Sequence, residues 1–179
     1  MIGAGAAGRT FALACAAAGF DVILEDVMPA NLRKAEAEYA DLPLHEAQRE
    51  VPREAVRETP GRLLFASTVE DAVRDADIAV DFVPDELESK LEIFSMIDRM
   101  APPKTILCTP SDALSITDLA SCVYRPERCV AVRGGLLHKR ESIPSSIDLL
   151  YPANTASATI ERVSAFFRVL TIEVRPMLP

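Results

Sequence analysis

Short apolar runs alternate with longer amphipathic segments along most of the chain. The runs at 22–24, 63–66 and 78–83 are bounded by charged or turn-forming residues, which is typical of buried strands. Four later runs have the same character and predict further strands: 105–108, 129–132, 146–151 and 171–174. Because helical patterns separate most of these runs, the sequence predicts an α/β fold with a mostly parallel sheet and helices on both faces.

Cap signals and a helical period predict the helices between these strands. Thr68 is followed three residues later by Asp71, and Ser115 stands at the start of another short helical segment. Longer helices are predicted over 85–100 and 155–169. The segment 29–58 is rich in Ala, Glu and Arg and is interrupted near Pro43 and Pro52, which predicts a short helical hairpin after the second strand.

A glycine motif opens the chain. Gly3, Gly5 and Gly8 form a complete G-x-G-x-x-G, followed by an apolar helical run and then a short strand. The first glycine permits the turn, the second lets the backbone approach a pyrophosphate, and the third lets helix and strand pack closely. This order predicts a Rossmann-type, doubly wound dinucleotide-binding fold. The alternative is a tight turn before a core helix.

An acidic residue after the predicted strand at 22–24 indicates which dinucleotide is bound. Asp26 stands where a carboxylate accepts hydrogen bonds from the adenosine ribose, and it would repel a 2′-phosphate. Val27 and Met28 supply no cation to offset that repulsion. The sequence therefore favours NAD over NADP.

Composition narrows the classes of function. The 179 residues are 49% hydrophobic, which suits one domain with a sizeable core. The net charge of −8 argues against a nucleic-acid partner. No apolar run approaches the roughly 20 residues that span a bilayer, so we expect a cytoplasmic protein without membrane contact. The four cysteines lack C-x-x-C spacing and there are only two histidines, so no metal site is expected.

The predicted first strand is unusually short. Only Met1 and Ile2 precede the glycine turn, whereas strands usually run about 5–6 residues. We expect the natural strand to begin upstream of Met1.

Several segments together resemble the NAD-binding domain of the 3-hydroxyacyl-CoA dehydrogenase family. They are the glycine motif at 2–8, the segment 77–87 that contains the predicted strand at 78–83, and the segments 105–109, 114–117 and 125–128. The resemblance implies that residues 1–179 form a single NAD-binding domain. It also implies that the family's C-terminal helical domain is absent from this chain.

The resemblance assigns residues to the cofactor. The loop from Gly3 to Gly8, with Ala6 and Ala7 at the helix N-terminus, would hold the pyrophosphate. Phe82 and Val83 would line the nicotinamide half through their backbone. Asp85 would lie near the nicotinamide ribose, and Lys90 would also reach the cofactor. The alternative for Asp85 and Lys90 is a solvated first helical turn.

The family's catalytic residues are not retained at the matching positions. The resemblance places Arg133 where the family has its histidine base, Asp112 where it has a serine, and Leu136 where it has an asparagine. Asp148 would replace the glutamate that orients the histidine. Since a guanidinium stays protonated in proteins, Arg133 cannot act as a general base. We expect Asp112 and Arg133 to form an ion pair across the altered site.

His138 offers another origin for a base. It follows Arg133 by five positions, within an insertion relative to the family. It is either an exposed loop histidine among charged residues or a group that the loop brings back to the pocket.

Three functions remain open. The first is an oxidoreductase of the 3-hydroxyacyl-CoA dehydrogenase type with altered chemistry, in which Arg133 holds a carboxylate or polarises a carbonyl of an acyl-CoA or another small hydroxy or carbonyl substrate. The second is a catalytically silent NAD-binding sensor or partner-binding module, and the third is a fragment that binds nothing tightly. An apolar surface for self-association or for a helical domain is expected at 170, 172, 177 and 178.

Overall fold

The fold is built on one mostly parallel sheet, in which Ile2 bridges a two-stranded part and a five-stranded part. The computed structural model describes residues 1–41, 61–138 and 143–178. Its strands are β1 (Val22–Glu25), β2 (Leu63–Ala66), β3 (Ile78–Val80), β4 (Ile106–Pro110), β5 (Cys129–Arg133), β6 (Ser146–Leu150) and β7 (Glu173–Met177). β1 pairs with β2, and the other five strands follow the order β3-β4-β5-β6-β7. Only the β5–β6 pairing among these is antiparallel.

Ile2 lies between β1 and β3 in the sheet. It forms parallel bridges to Glu25 at the end of β1 and to Asp81 just after β3. Its carbonyl accepts a 2.6 Å hydrogen bond from the Phe82 N–H, and its own N–H donates to Val80 at 2.9 Å. The spatial order is therefore β2-β1-Ile2-β3-β4-β5-β6-β7, which confirms the predicted doubly wound α/β fold.

Helices cover both faces of this sheet. They are α1 (Ala6–Ala17), α2 (Pro29–Asp41), α3 (Val69–Val73), α4 (Leu87–Met100), α5 (Ile116–Ala120) and α6 (Ser157–Val169). The predicted caps are confirmed, because the Thr68 and Ser115 hydroxyls accept from the backbone N–H groups of Asp71 and Asp118. None of the helices in the described ranges is long and apolar enough to cross a bilayer.

Two apolar clusters lie on opposite faces of the sheet. One packs Phe11 of α1 and Phe167 of α6 against strand residues, and the other packs Phe94 of α4 and Leu119 of α5. All four of these side chains are almost fully buried.

The predicted apolar docking surface is only half present. Leu170 and Ile172 belong to the core, because the chain turns after α6 and brings both side chains under the sheet. Met177 and Leu178, at the end of the edge strand β7, are exposed as expected. The predicted hairpin is likewise seen only in part: α2 is present, and residues 42–60 lie outside the described residues.

The start of α1 approaches the first strand very closely. A Cβ atom placed on Gly8 would lie 2.0 Å from the Gly3 carbonyl oxygen, a distance at which no side chain fits. Gly3 itself has a φ of +96°, which favours glycine. Nothing lies within 4 Å of a Cβ placed on Gly5, which faces open space. Gly3 and Gly8 therefore have the turn and packing roles that the sequence predicts, and the open space at Gly5 leaves room for its predicted approach to a pyrophosphate.

A buried ion pair joins three elements at the carboxyl end of the sheet. The Lys90 ammonium of α4 lies 2.7 Å from Asp81 Oδ1, and it also donates to the Pro110 carbonyl of β4 at 3.0 Å. Both side chains are inaccessible to solvent. This burial contradicts the expectation that Lys90 reaches the cofactor. Its ammonium has no accessible surface to offer a ligand unless the ion pair opens.

The glycine contacts predict opposite effects of two similar substitutions. We expect Gly8→Ala to lower the free energy of unfolding by about 3 kcal/mol or more, because the new methyl group meets backbone that cannot move aside. Gly5→Ala should cost less than about 1 kcal/mol, since its methyl group enters open space. Urea unfolding followed by circular dichroism measures both. Equal losses in the two variants would contradict the close packing of α1 on the first strand.

The buried pair predicts that removing one charge is worse than removing both. Lys90→Met should cost about 3–5 kcal/mol at pH 7, because it leaves the Asp81 carboxylate buried without a counter-charge. Burial raises the pKa of Asp81, so a protonated carboxyl limits the loss at low pH and the loss grows as the pH rises. The double variant Asp81→Asn, Lys90→Met should recover at least half of the lost stability. Denaturant titrations at pH 5 and pH 8 test this, and a double variant no more stable than Lys90→Met would refute it.

Candidate functional site

The loops that follow the parallel strands meet at one edge of the sheet. The glycine loop follows Ile2, Asp26 follows β1, the segment 82–85 follows β3, Asp112 follows β4, and the segment 134–138 follows β5. The strand order reverses at Ile2, and open α/β sheets bind ligands in the crevice at such a point. The topology therefore brings most of the predicted site residues together.

The N-terminus of α1 is open to an anion. Gly5 is the N-cap residue and provides no side-chain cap, and the first turn, which includes Ala6 and Ala7, carries no acidic residue. The first backbone N–H groups of α1 therefore point outward with the positive end of the helix dipole. With the open space in front of Gly5, this arrangement fits a pyrophosphate.

Asp26 ties the glycine loop to the segment after β1. Its Oδ2 accepts from the Ala4 N–H at 2.8 Å and from Asn31 Nδ2 at 3.0 Å, and its Oδ1 accepts from the Met28 N–H at 2.8 Å. The residue is 8% exposed. Three of about four lone-pair positions are thus occupied, leaving one direction for a ribose hydroxyl. Asp26 positions the loop in addition to any contact with the ribose.

A second cluster of charges holds the same loop from the α2 side. Arg9 donates from Nη1 to the Ala4 carbonyl at 2.8 Å, and its Nε lies 2.7 Å from Glu38 of α2.

The carboxyl group of Glu25, beside Asp26, is buried. Glu25 is 1% exposed, and its Oε1 has no partner among the described atoms. Burial, together with the neighbouring Asp26 charge, raises the pKa of Glu25 to about 7.

Phe82 and Val83 lie between the glycine loop and α4. The Phe82 carbonyl would lie 3.1 Å from a Cβ on Gly3, so its backbone borders the loop directly. The Phe82 ring packs on Phe11 with centroids 5.6 Å apart. Val83 is half-buried against the apolar cluster of α4 and α5.

Asp85 links two of the loops at this edge. Its Oδ2 accepts from the Asp112 backbone N–H at 3.0 Å, and its Oδ1 is buried without a partner among the described atoms. The contact fixes the backbone of Asp112 while leaving that carboxylate 45% exposed. An unpartnered, buried carboxylate oxygen beside an open cleft is free to accept from a ligand hydroxyl.

The expected ion pair between Asp112 and Arg133 does not form. Arg133 turns toward α5 instead, and its Nη2 donates to the Leu114 carbonyl at 3.2 Å. Asp112 lies near His138, and Asp148 binds Arg175 Nε at 2.7 Å although it is opposite Arg133 in the β5–β6 register. The prediction was wrong because each charge has a nearer partner than the one across the cleft.

His138 is both exposed and directed at the cleft, so its two interpretations are not exclusive. Its side chain is 65% exposed, and Nδ1 lies 3.7 Å from Asp112 Oδ2. That distance is within ion-pair range and beyond a hydrogen bond. Gly134 and Gly135 have φ values of +132° and +90°, and the His138 N–H donates to the Gly135 carbonyl at 3.3 Å. This turn brings the loop back toward Asp112.

An open cavity of about 430 Å³ lies beside these residues. Its lining includes Asp112, His138 and Arg175, together with Gly134, Gly135 and Ser146. Arg175, held through Nε by Asp148, is the basic group in this lining. A smaller cavity on the other side of His138 is lined by Ala7 and Thr10 of α1. His138 lines both cavities, as do Gly135 and Pro144.

Sequence reasoning missed two of these features. The pair Gly134–Gly135 could have signalled a tight reversal after β5, because adjacent glycines favour positive φ. Arg175 gave no signal, since only the β6–β7 pairing brings it opposite Asp148. Within the described ranges, no group of three or more His, Cys, Asp or Glu residues could hold a metal ion.

Two known dehydrogenases are similar in sequence to this chain. The chain is 31% identical over 141 residues to a probable 3-hydroxybutyryl-CoA dehydrogenase of Bacillus subtilis, a match that covers 74% of this chain and 46% of the relative. It is 29% identical over 177 residues to the 3-hydroxybutyryl-CoA dehydrogenase of Bradyrhizobium diazoefficiens, covering 97% and 58%. The chain thus spans about half the length of these curated relatives.

A solved structure shows the same fold. The 3-hydroxyacyl-CoA dehydrogenase of Archaeoglobus fulgidus superposes with a TM-score of 0.77 at 26% identity, covering 99% of this chain and 55% of that one. The family model described as 3-hydroxyacyl-CoA dehydrogenase, NAD binding domain, matches residues 1–170. With its glycine loop, reversed strand order and acidic residue after β1, the chain belongs to the NAD-binding domain family of the 3-hydroxyacyl-CoA dehydrogenases.

Proposed function

We propose that this chain is the NAD(H)-binding domain of an oxidoreductase whose catalytic site is altered from the family pattern. The reaction would interconvert a secondary hydroxyl and a carbonyl. The observation that carries the proposal is the position of Arg133. It stands where the family resemblance places the histidine base, yet its guanidinium binds the Leu114 carbonyl and cannot take up a proton.

Polar groups at the cleft support a site that still binds a substrate. Asp85, which binds the Asp112 backbone, presents a carboxylate oxygen without a partner among the described atoms, and Asp112, His138 and Arg175 line the open cavity. Such convergence of polar groups beside a dinucleotide site favours ligand binding over a filled, purely structural edge. NAD, when bound, supplies the hydride acceptor, and the residues of this chain orient the substrate beside it.

The substrate class follows from the relatives and from the cavity. The matched relatives are named for 3-hydroxybutyryl-CoA, and one further relative, from Burkholderia mallei, is named L-carnitine dehydrogenase. Both substrates carry a hydroxyl group on C3, counted from the acyl or carboxyl carbon. We therefore propose a 3-hydroxyacyl thioester or a free 3-hydroxy acid. The guanidinium of Arg175 would offer its N–H donors to the acyl oxygen.

The domain would work with a further helical unit or a second copy of the chain. The chain spans about half the length of its relatives, and Met177 and Leu178 at the end of edge strand β7 are exposed. An exposed apolar end on an edge strand suits coverage by a partner.

A second candidate is an NAD-binding module without catalysis. The same observation on Arg133 favours it, since a site without the family's base could retain only cofactor binding. Binding of NADH without turnover of any 3-hydroxyacyl substrate would support this candidate over the first.

The proposal predicts selective binding of NADH. Calorimetric titration of the purified chain should give low-micromolar affinity for NADH, and NADPH should bind at least about tenfold more weakly, because its 2′-phosphate meets the Asp26 carboxylate. Asp26→Ala should weaken NADH several-fold through loss of the ribose contact and of the tie to Ala4. Asn31→Ala is the matched control, since it removes one hydrogen bond to Asp26 and keeps the carboxylate.

Two outcomes would count against this proposal. Absence of NADH binding in the folded parent chain would refute the cofactor assignment. Equal affinities of the parent and Asp26→Ala would refute the ribose role of Asp26.

A further inference from the structure

We propose that His138, with Asp112 facing its ring, is the proton-transfer group of this site. The inference rests on the proposed oxidoreductase function and adds the residue that would replace the missing base. It is carried by one juxtaposition: an imidazole and a carboxylate from two different loops meet in the lining of the open cavity, and the imidazole also borders a small gap beside α1.

The backbone holds both partners in place. Asp112 is fixed by its N–H, which donates to Asp85 Oδ2 at 3.0 Å. His138 is carried by the turn at Gly134 and Gly135, and a Cβ on Gly134 would lie 2.9 Å from the Ser146 carbonyl. Only glycine at position 134 lets the loop pass so close to β6, so the turn that delivers His138 is built into the sequence.

The imidazole borders both the open cavity and a small gap beside α1. On one side it lines the cavity with Asp112 and Arg175, and on the other it lines the small cavity with Ala7 and Thr10 of α1. A substrate in the larger cavity would thus lie beside His138. A general base must lie within hydrogen-bond reach of the substrate proton that it abstracts, directly or through one water.

The proton inventory is simple. When a secondary alcohol is oxidised, the carbinol carbon loses a hydride to NAD⁺, the C–O bond becomes a carbonyl, and the hydroxyl proton passes to Nε2 of His138. Asp112, facing Nδ1, stabilises the imidazolium that results. Asp112 is therefore a positioning residue. In apo structures such contacts are often long and tighten when substrate binds, which suits the 3.7 Å separation.

The groups around His138 suit this role. Asp112 is the acidic group that faces it within ion-pair distance, and Arg175, already bound to Asp148, is the basic group in the same cavity. Arg133 is turned away toward Leu114. The chain has two histidines, of which His45 lies outside the described residues, so His138 is the imidazole within the described part of the cleft.

The first test needs no turnover. In untagged His45→Gln protein, His138 gives the one set of imidazole signals, and ¹⁵N–¹³C correlation spectra report its tautomer. Adding Asp112→Asn should change the ring-nitrogen shifts, because the carboxylate no longer faces Nδ1. Saturating NAD⁺ with 3-hydroxybutyryl-CoA should move them as well. Ring-nitrogen shifts that stay the same after the Asp112→Asn substitution and after addition of the two ligands would overturn the proposal. This result can be read even when turnover is too slow to detect.

The second test separates this inference from the function on which it rests. With NAD⁺ and 3-hydroxybutyryl-CoA, His138→Gln should lower kcat at least about 100-fold, as loss of a general base does, while calorimetry shows unchanged NADH affinity. His45→Gln is the matched control and should keep full activity. Turnover retained in His138→Gln would overturn the inference alone, whereas loss of NADH binding in the parent would overturn the proposed function.

Discussion

The cofactor end of this domain depends on the contact between α1 and the first strand. No side chain fits between Gly8 and the Gly3 carbonyl, so the helix N-terminus sits directly over the end of the strand. That placement aims the free N–H groups of α1 at the crevice. Asp26 and Arg9 then hold the loop from two sides, through the N–H and the carbonyl of Ala4. Backbone packing therefore fixes the position of the loop that would receive the cofactor.

The edge of the sheet that carries the candidate site is organised by contacts within the protein. Lys90 joins Asp81 to the Pro110 carbonyl, and Asp85 holds the backbone of Asp112 two residues further along. These contacts fix the loops after β3 and β4 relative to each other. The third loop, after β5, brings His138 to the carboxylate that the other two present. The site is thus assembled from three strand ends, with its exposed groups carried by buried ones.

The sequence predicts the fold and the cofactor loop well because both depend on local patterns. Strand and helix periods, the spacing of three glycines and an acid after a short strand all survive without knowledge of long-range contacts. The apolar surface at Leu170 and Ile172 was mispredicted because a turn after α6, invisible in hydropathy, buries both side chains. The Asp112–Arg133 pair failed because sequence positions do not fix where a guanidinium turns: Arg133 donates to the Leu114 carbonyl, and Asp112 lies near His138.

The structure of the chain with NADH bound is the most direct measurement of the central claim. The account predicts the pyrophosphate at the N-terminus of α1 and the nicotinamide ring beside the cavity of His138 and Asp112, with Arg133 still bound to Leu114. A nicotinamide ring placed away from His138, with Arg133 swung into the cleft in its stead, would contradict it.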